Sequence, residues 1–428
     1  MDFKSIFGDC LLPQHRNIVQ ATVPVLREHG EKITGVFYSQ MFEAHPELLN
    51  VFNPANQRNG GQAKSLAASI LAYAAHIDRL DQLGGMVEQI AQKHFSLEIL
   101  PDHYPIVGKH LLGAIKAVLG EAASPEILEA WGAAYQQLAD VMIGREKQLY
   151  DEAANQHGGW RGFKPFVVKR KQQESERITS FYLSPEDGSP LPPFKPGQYL
   201  SVKIRTPGFE FEQIRQYSLS SLPNREYYRI SVKKESAPDQ ASPQGQVSNY
   251  LHDDVEEGAT VSVHAPGGHF TINENSNAPV VLISGGVGVT PALCMLQHLA
   301  RQNRRQTLFV HATTNRAHHA FRHEVLALTE AHPLVRSVIY YEDPASKDDS
   351  DADYDHRGRI TRESLAQYLP GSDAEYYYCG PIGFMNAVSS MLDKLGVPLA
   401  KRYSEAFAPD PSFDSEVARA SQQTLTAP

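Results

Sequence analysis

The sequence contains few cysteines, and they form no pattern that would bind a metal through thiolates. Its three cysteines, Cys10, Cys294 and Cys379, lie far apart among 428 residues. None of them has a partner at CxxC spacing, and so few cysteines do not make a disulfide framework. We therefore expect a reducing compartment, and the cytoplasm is the predicted location.

Uninterrupted apolar runs and dense basic clusters are missing as well. The long apolar region 279–299 contains Gly285, Gly286, Gly288 and Pro291, which is typical of a strand, a loop and a helix rather than a membrane span. The formal net charge is -9 and no block of Lys and Arg occurs, which argues against a nucleic-acid surface. The N-terminus lacks a signal pattern. We expect no membrane span and no nucleic-acid partner.

Residues 1–156 contain apolar residues at helical spacing and no strand pattern. Ile33, Phe37 and Met41 form one such stripe. Later in this part, Ser124 is expected to cap a helix whose first residue is Pro125. Several amphipathic helices without a strand predict an all-α bundle or a globin as the first domain.

Residues 157–275 contain short β-rich runs separated by turns rich in proline and glycine, which predict an antiparallel β-barrel. The runs are 166–169, 178–183, 199–204, 216–219, 228–233 and 260–264. Residues 276–428 alternate strands with helices, which predicts a doubly wound parallel α/β domain. The predicted strands are 280–284, 307–311, 337–341 and 375–379, and the predicted helices are 321–329, 361–368 and 384–395. The acidic insert 342–355 and the tail after Pro409 are predicted to be solvated and mobile.

His94 is the candidate metal ligand of the helical part. It faces the same way as Ile90 on an amphipathic helix, but a lone helical histidine is more often a core or surface residue. A haem iron needs one strong protein ligand. The segments FYSQMF, FNPANQRNGGQ, AQKH, HYPIVGKHLL and AWGAAYQQLADVMIGRE occur in this order and together resemble the globin domain of flavohaemoglobins. The resemblance implies haem b, with its iron bound by His94.

The same resemblance places Tyr38, Gln62 and Leu66 in the distal pocket. A phenol such as Tyr38 would stabilise the partial negative charge on bound dioxygen, Gln62 could donate as well, and Leu66 would restrict the pocket to small diatomic ligands. Without the family pattern, Tyr38 would first be interpreted as a core residue. A lipid in this pocket is also possible for the family.

On the proximal side, the resemblance implies that Tyr104 and Glu146 form hydrogen bonds around His94. A carboxylate that accepts the imidazole N–H makes the ring more electron-donating, which suits oxygen activation. Lys93 could tune the haem potential. Glu146 and Lys93 could also be plain solvated residues.

The barrel contains a candidate flavin site. Arg215-Gln216-Tyr217-Ser218 resembles the RxYS signature of ferredoxin-reductase-like flavoproteins, and strand alternation puts Arg215 and Tyr217 on one side. The resemblance implies FAD, with a cation for the pyrophosphate, an aromatic face for the ring and a small donor. Two further parts complete the predicted site. One is Tyr199, which could equally be a plain strand residue. The other is the segment Gly245-Gln246-Val247-Ser248-Asn249, in which Val247 to Asn249 are expected to open a short helix whose free N–H groups bind phosphate.

The third part contains a candidate dinucleotide site. A glycine loop follows a strand and opens a helix, where backbone N–H groups can bind a pyrophosphate, although it is not the GxGxxG fingerprint. Its residues are Gly286, Val287, Gly288, Val289, Thr290 and Pro291. By resemblance, the partner segment Cys379-Gly380-Pro381 brings nicotinamide to the flavin. Cys379 could also be a buried strand cysteine, and neither interpretation makes it a nucleophile.

The C-terminal segment Glu405-Ala406-Phe407-Ala408-Pro409 resembles a segment that covers the flavin in the family. Ala408 stands where glycine is usual, and alanine at positive φ would cost about 1 kcal/mol or more. Glu405 and Phe407 are kept as flavin neighbours, with Ala408 and Pro409 as further candidates.

The resemblance covers nearly the whole chain and implies a monomeric nitric oxide dioxygenase. NADH or NADPH would reduce FAD, and FAD would pass single electrons to haem, where oxygen and nitric oxide give nitrate. Two alternatives use parts of the same apparatus: a reductase of lipid or alkyl hydroperoxides, and an oxygen-binding or oxygen-sensing haemoprotein. The choice between NADH and NADPH depends on residues such as Arg316, which could meet a 2′-phosphate or face solvent.

Overall fold

The computed structural model describes residues 11–52, 60–236, 245–350, 352–371 and 373–407. The chain divides into two compact units. The first takes in the described part of residues 1–154 together with 207–214, and the second comprises the described part of 155–206 and 215–407.

The first unit is helical, as its periodicity predicts. Proline residues mark helix starts in this unit, and Pro13 begins the first helix. In front of Pro125, the Ser124 Oγ accepts the Ile127 N–H at 3.4 Å, as expected of a helix cap. The core contains Ile33, Phe37 and other residues of the predicted stripes. The helices are α1 (Pro13–Ala21), α2 (Val23–Ala44), α3 (Gly61–Ala75), α4 (Gly84–Ser96), α5 (His103–Leu119) and α6 (Pro125–Asn155).

The second unit begins with a six-stranded sheet whose order is β4-β3-β6-β1-β2-β5. An isolated antiparallel bridge between Leu219 and Ile230 joins the end of β4 to β5, the strand at the other edge, and this makes the sheet a barrel. The strands are β1 (Phe163–Gln173), β2 (Ile178–Pro185), β3 (Tyr199–Ile204), β4 (Gln213–Ser218), β5 (Tyr228–Lys233) and β6 (Thr260–His264), and helix α7 (Gln246–Asp253) precedes β6.

A parallel six-stranded sheet of order β10-β9-β8-β7-β11-β12 follows, with helices between its strands. The chain leaves β7 for β8 on one side and later returns to β11 on the other, so the connection reverses between β7 and β11. The strands are β7 (Val280–Gly285), β8 (Thr307–Thr313), β9 (Val335–Tyr341), β10 (His356–Arg357), β11 (Glu375–Gly380) and β12 (Arg402–Ala406). The helices are α8 (Val289–Gln302), α9 (Arg322–Ala331), α10 (Arg362–Ala366) and α11 (Ile382–Lys394).

Two buried arginines form ion pairs in the second unit, one between the barrel and the α/β part and one within the α/β part. Arg229 on β5 lies 2.6 Å from Glu324 on α9, and Gln297 donates to the same carboxylate at 2.9 Å. Arg305 lies 2.6 Å from Glu375, with both side chains 3% exposed. No local sequence pattern predicts these pairs, because their partners are 70 or more residues apart.

The acidic insert 342–355 is solvated as predicted, since most of its described residues are exposed, but it is also attached to the sheet. Glu342 N–H and Asp343 N–H donate to backbone oxygens of 313 and 314 at 2.9 Å, and the Tyr354 ring stacks on Tyr341 at 4.9 Å. Asp353 is buried. Composition predicts the exposure of this segment, but not the ion pairs and hydrogen bonds that attach it to the sheet.

Several element ends also differ from the predictions. Strand β4 covers residues 213–218 rather than 216–219, helix α10 ends at Ala366 rather than 368, and β10 and β12 were not predicted. The last two are edge strands, whose short runs resemble loops in a single sequence. Among the described residues, no helix is both long and apolar enough to cross a membrane.

Candidate functional site

The imidazole of His94 is held in the first unit by two side chains from other helices. His94, in the last turn of α4, has its Nδ1 2.7 Å from Glu146 Oε1 and 3.1 Å from the Tyr104 hydroxyl. The Tyr104 hydroxyl in turn donates to Glu146 Oε1 at 2.5 Å. Since a carboxylate can only accept, Nδ1 carries the proton and Nε2 is the nitrogen left for a metal.

Burial keeps one member of this network, the Tyr104 phenol, protonated. Burial and the neighbouring charge of Glu146 raise the pKa of the Tyr104 phenol, so it remains a donor at neutral pH. Glu146 is only 2% exposed. A carboxylate this deeply buried is stable only with donors around it, and Tyr104 and His94 are such donors.

Two residues that the sequence analysis missed position Tyr104. The Tyr135 hydroxyl donates to the Tyr104 carbonyl oxygen at 2.6 Å. A Cβ at Gly108 would lie 2.5 Å from the Tyr135 ring, so this packing of α5 on α6 requires glycine. A glycine inside a helical stripe, one turn from a tyrosine, is the sequence signal that could have indicated such a contact.

Tyr38 and Gln62 lie together, as predicted for the distal side. Tyr38 on α2 is buried, and burial raises the pKa of its phenol, while a hydrogen bond with the Gln62 side chain works in the opposite direction. Leu66 follows Gln62 by one turn of α3 and is half-buried. The arrangement provides a protonated phenol and an amide beside an aliphatic side chain.

An aromatic wall around Tyr38 was not predicted. Its ring centroid lies 4.7 Å from that of Phe37, 5.7 Å from that of Phe42 and 5.9 Å from that of Phe52. These contacts restrict the position of the phenol. Lys93, in contrast, has an exposed side chain beside His94.

The predicted flavin segment 215–218 forms the end of β4. Burial raises the pKa of the Tyr217 phenol, and the positive charge of Arg215 opposes this rise, so the two side chains interact as alternation predicts. Gln216 is half-buried and Ser218 is buried. Tyr199 is buried, and a Cβ at Gly268 would lie 2.8 Å from its ring.

The predicted phosphate-binding helix start is α7. Its first residues are Gln246, Val247 and Ser248, whose backbone N–H groups are at the positive end of the helix. Val247 and Ser248 are buried. The Asn249 N–H is not free as expected, because it donates to the Gly245 oxygen at 3.0 Å. The Asn249 side-chain amide donates to the oxygens of Gly245 and Glu235 at 2.8 Å.

The glycine loop lies where the parallel sheet reverses its direction of connection. A 3-10 turn, Gly286–Gly288, joins β7 to α8, and Gly286 has φ +54°, which favours glycine. A Cβ at Gly288 would lie 2.1 Å from the Cys379 oxygen, so the loop touches the end of β11 backbone to backbone. The side chains of Val289, Thr290 and Pro291 are buried, and Val287 is half-buried.

The segment Cys379-Gly380-Pro381 closes the other side of this edge. Cys379 is buried, and burial together with the charge of Glu405 raises the pKa of its thiol, as expected of a cysteine without a nucleophilic role. Pro381 precedes α11. Phe384, which was not predicted as a site residue, packs directly against Gly285 and Gly380. A Cβ on either glycine would approach the Phe384 ring within 3 Å.

The C-terminal candidates are only partly described. Glu405 lies on β12 opposite Cys379 and is half-buried, and Phe407 is 48% exposed. Ala408 and Pro409 lie outside the described residues.

Comparisons with known proteins agree with this arrangement. Three family models match in order: Globin at residues 35–142, Oxidoreductase FAD-binding domain at 165–272 and Oxidoreductase NAD-binding domain at 282–390. A flavohemoprotein of Deinococcus radiodurans is 54% identical over 404 residues, which are 94% of this chain and 98% of that protein. The chain belongs to the flavohemoprotein family.

Solved structures extend this assignment of the flavohemoprotein family to the fold. A crystal structure of a flavohemoglobin from Malassezia yamatoensis with bound FAD and haem has a TM-score of 0.82 and 31% identity, and covers 93% of this chain and 100% of that chain. The flavohem-like FAD/NAD-binding domain of a nitric oxide dioxygenase from Vibrio cholerae has a TM-score of 0.53 and 38% identity, and covers 58% of this chain and 100% of that chain. The predicted fold, a globin followed by an antiparallel barrel and a doubly wound α/β part, is confirmed.

Proposed function

We propose that this flavohemoprotein is a nitric oxide dioxygenase, in which NAD(P)H reduces FAD, FAD reduces haem, and oxygen and nitric oxide are converted to nitrate. The observation that carries the proposal is the His94–Tyr104–Glu146 network together with the buried Tyr38–Gln62 pair in one helical unit. The nitric oxide dioxygenase from Vibrio cholerae, which resembles the second unit, supports it.

The donor set around His94 fits haem b. Haem, when bound, supplies an iron that takes up oxygen and accepts single electrons. His94 Nε2 would be its protein ligand, because Glu146 and Tyr104 occupy Nδ1. Glu146 makes the imidazole more electron-donating, which favours oxygen activation over simple oxygen carriage. Lys93, beside the ligand, would raise the local positive potential.

On the distal side, Tyr38 holds its proton because it is buried. Its O–H and the Gln62 amide would donate to a small ligand that develops negative charge, and Leu66 would limit the size of that ligand. The aromatic wall keeps the phenol in place, so it need not reorganise when the ligand arrives.

The residues of β4 and α7 fit FAD. FAD, when bound, accepts a hydride and releases electrons one at a time. Arg215 would neutralise the pyrophosphate, with the amides of Gln246, Val247 and Ser248 beside it. Tyr217 and Tyr199 would supply aromatic surface for the cofactor, and Gln216 and Ser218 would supply polar groups. The Gly245–Asn249 turn would position these amides, and Glu405, Phe407, Ala408 and Pro409 would lie next to the flavin.

The edge formed by residues 286–291 and 379–381 fits a dinucleotide. In doubly wound sheets, ligands bind at the carboxyl ends of strands where the connection reverses, which here is between β7 and β11. Gly286 is half-buried and nothing lies within 4 Å of its Cβ position, so a pyrophosphate would approach its backbone closely. Cys379 and Gly380 would bound the nicotinamide pocket, and Pro381 would begin the adjoining helix.

We further propose domain boundaries at 156/157 and 275/276, a monomeric state, a cytoplasmic location and nitric oxide as the second substrate. A lipid in the distal pocket stays a prediction from the resemblance, and extraction of the purified protein with organic solvent tests it. The two alternatives, a hydroperoxide reductase and an oxygen sensor, have no observation that favours them over the dioxygenase.

Stopped-flow spectroscopy of haem- and FAD-loaded protein with NADH, oxygen and nitric oxide tests the function. We expect NADH-dependent loss of nitric oxide with stoichiometric nitrate, abolished by His94→Ala. His29→Ala, a half-buried histidine on α2 away from the network, is the matched control and should keep the activity. Flavin reduction without haem reduction or nitrate, or faster turnover with an alkyl hydroperoxide, would overturn the proposal.

A further inference from the structure

The acidic insert packs against the carboxyl end of β8. The N–H groups of Glu342 and Asp343 donate to the oxygens of Thr313 and Thr314 at 2.9 Å, which extends the pairing of β9 with β8 beyond both strands. Asp348 Oδ2 then accepts the backbone N–H of Arg316 at 3.2 Å. The insert is therefore attached to the loop that follows β8.

Asp353 is the insert residue that meets the cations of this region. Its side chain is 1% exposed, and it lies 2.8 Å from Arg322 and 3.4 Å from Arg316. It also accepts the N–H of Asp349 at 3.0 Å. Arg322 additionally donates to the Ala352 oxygen at 2.7 Å, so its guanidinium is fixed in place by the insert.

The end of β8 is significant because of its place in the sheet. In a doubly wound domain, the dinucleotide pyrophosphate lies after the first strand, here β7, and the adenosine ribose lies near the end of the neighbouring strand. An acidic residue there binds the 2′-hydroxyl of NADH, or an arginine accommodates the 2′-phosphate of NADPH. Residues 307–316 contain no Asp or Glu, and their one cation is Arg316, which is 51% exposed.

Resting on the proposed dinucleotide site at residues 286–291, we propose that Asp353 determines nucleotide specificity by neutralising Arg316, so that the protein takes NADH in preference to NADPH. Arg316 by itself would attract a 2′-phosphate. Asp353 is a charge that the 2′-phosphate cannot displace, since it is buried and also fixed by Arg322. The 2′-phosphate would meet a cluster in which the charges of Arg316 and Arg322 are balanced by the carboxylates of Asp353 and Asp348, so Arg316 would not act as an uncompensated cation. Asp353 acts through Arg316 and is a positioning residue.

Anaerobic flavin reduction tests the inference without haem chemistry or nitric oxide. Stopped-flow traces of FAD-loaded protein give dissociation constants and hydride-transfer rates for NADH and NADPH separately. The wild type should bind NADH more tightly. Asp353→Asn should shift the ratio of the two constants about tenfold toward NADPH, mainly through the NADPH constant, with the rate of hydride transfer from the bound nucleotide unchanged.

Asp343→Asn is the matched control, because it removes the same charge from an exposed position in the same insert, and it should move the ratio less than twofold. A second variant, Arg316→Ala, leaves the insert unaltered, so its result does not depend on the folding of a changed insert. As a single substitution it should change NADPH binding less than twofold. Combined with Asp353→Asn, it should reverse the gain in NADPH affinity that Asp353→Asn produces.

Three outcomes would overturn the inference. The first is a wild type that prefers NADPH, and the second is a tenfold loss of NADPH affinity in Arg316→Ala alone. The third is an equal change of both dissociation constants in Asp353→Asn. Each would show that Asp353 does not set specificity. If neither nucleotide reduces the flavin, the dinucleotide site itself fails. Intact NADH reduction with an unmoved ratio in Asp353→Asn refutes the specificity role alone.

Discussion

The two units differ in which atoms form their candidate sites. In the helical unit, side chains from separate helices meet: His94, Tyr104 and Glu146 form one buried network, and Tyr38 and Gln62 form a second pair. At the carboxyl edge of the parallel sheet, backbone meets backbone, because Gly288 has no side chain to separate the loop after β7 from the Cys379 oxygen on β11. The first kind of site is damaged by removing atoms, and the second by adding them.

The largest effect is expected at the carboxyl edge of the parallel sheet, where backbone meets backbone. Gly288→Ala places a Cβ 2.1 Å from the Cys379 oxygen, and β11, which pairs with β7 and β12, cannot move away without breaking its ladders. We expect a loss of about 3 kcal/mol in the free energy of unfolding, at the upper end for overpacking, and a raised KM for NADH. Denaturant titration and steady-state kinetics measure the two. Gly383→Ala, a helical glycine with no atom within 4 Å of its Cβ position, should change stability by less than about 1 kcal/mol.

Removing atoms from the helical network comes next. Glu146→Ala deprives His94 Nδ1 and the Tyr104 hydroxyl of their acceptor, and we expect nitric oxide turnover to fall about 10- to 100-fold, as for other partners of metal-bound histidines. Glu146→Gln keeps an acceptor oxygen and should recover part of the loss. Glu129→Ala, whose side chain is 74% exposed, is the control. Unchanged turnover in Glu146→Ala would refute the role of the network.

The pH dependence of stability should come from a histidine buried in the parallel sheet rather than from one at the surface. Burial lowers the pKa of His311 on β8 from its ordinary value of about 6.5 to about 4. The unfolded chain therefore binds the proton more readily, so stability is lost as the pH falls from about 6.5 towards 4. Between pH 7 and pH 5 we expect His311 to contribute a loss of about 1 to 2 kcal/mol. His311→Asn should flatten this dependence in thermal unfolding, whereas His323→Asn, at an exposed position, should leave it as steep as in the wild type.

The smallest effect concerns the distal phenol. Tyr38→Phe keeps the aromatic wall and removes one hydroxyl, so we expect turnover to fall by about 2- to 10-fold, the value of one hydrogen bond. Turnover at saturating oxygen and the oxygen dissociation rate measure it. A Tyr38→Phe variant with wild-type rates would mean that the phenol only fills space.

The same division explains how much could be predicted from the sequence. Strands β3, β5 and β6 were predicted residue by residue, because alternation and flanking turns are local signals. Edge strands β10 and β12 were missed because they lack such a signal. The anchoring of the acidic insert could not be predicted either, since Asp353 meets Arg316 and Arg322 across more than thirty residues of chain.

The site residues divide in a similar way. His94, Tyr104 and Glu146 were named through motifs, and the structure brings them together. Tyr135 and Gly108, which hold Tyr104 in place, were missed because a helix–helix contact depends on two faces that one sequence shows separately. The closure of the glycine loop on the Cys379 oxygen likewise depends on strand order, which the sequence does not state.

The separation of the His94 partners along the chain has a consequence for biosynthesis. His94 lies 10 residues before Tyr104 but 52 residues before Glu146. During translation the imidazole therefore emerges well before the carboxylate that orients it, and the network is complete only when helix α6 has left the ribosome. A nascent chain arrested before residue 146 should present an unoriented histidine, whereas a chain arrested just after residue 155 contains every member of the network before any of the barrel has been made.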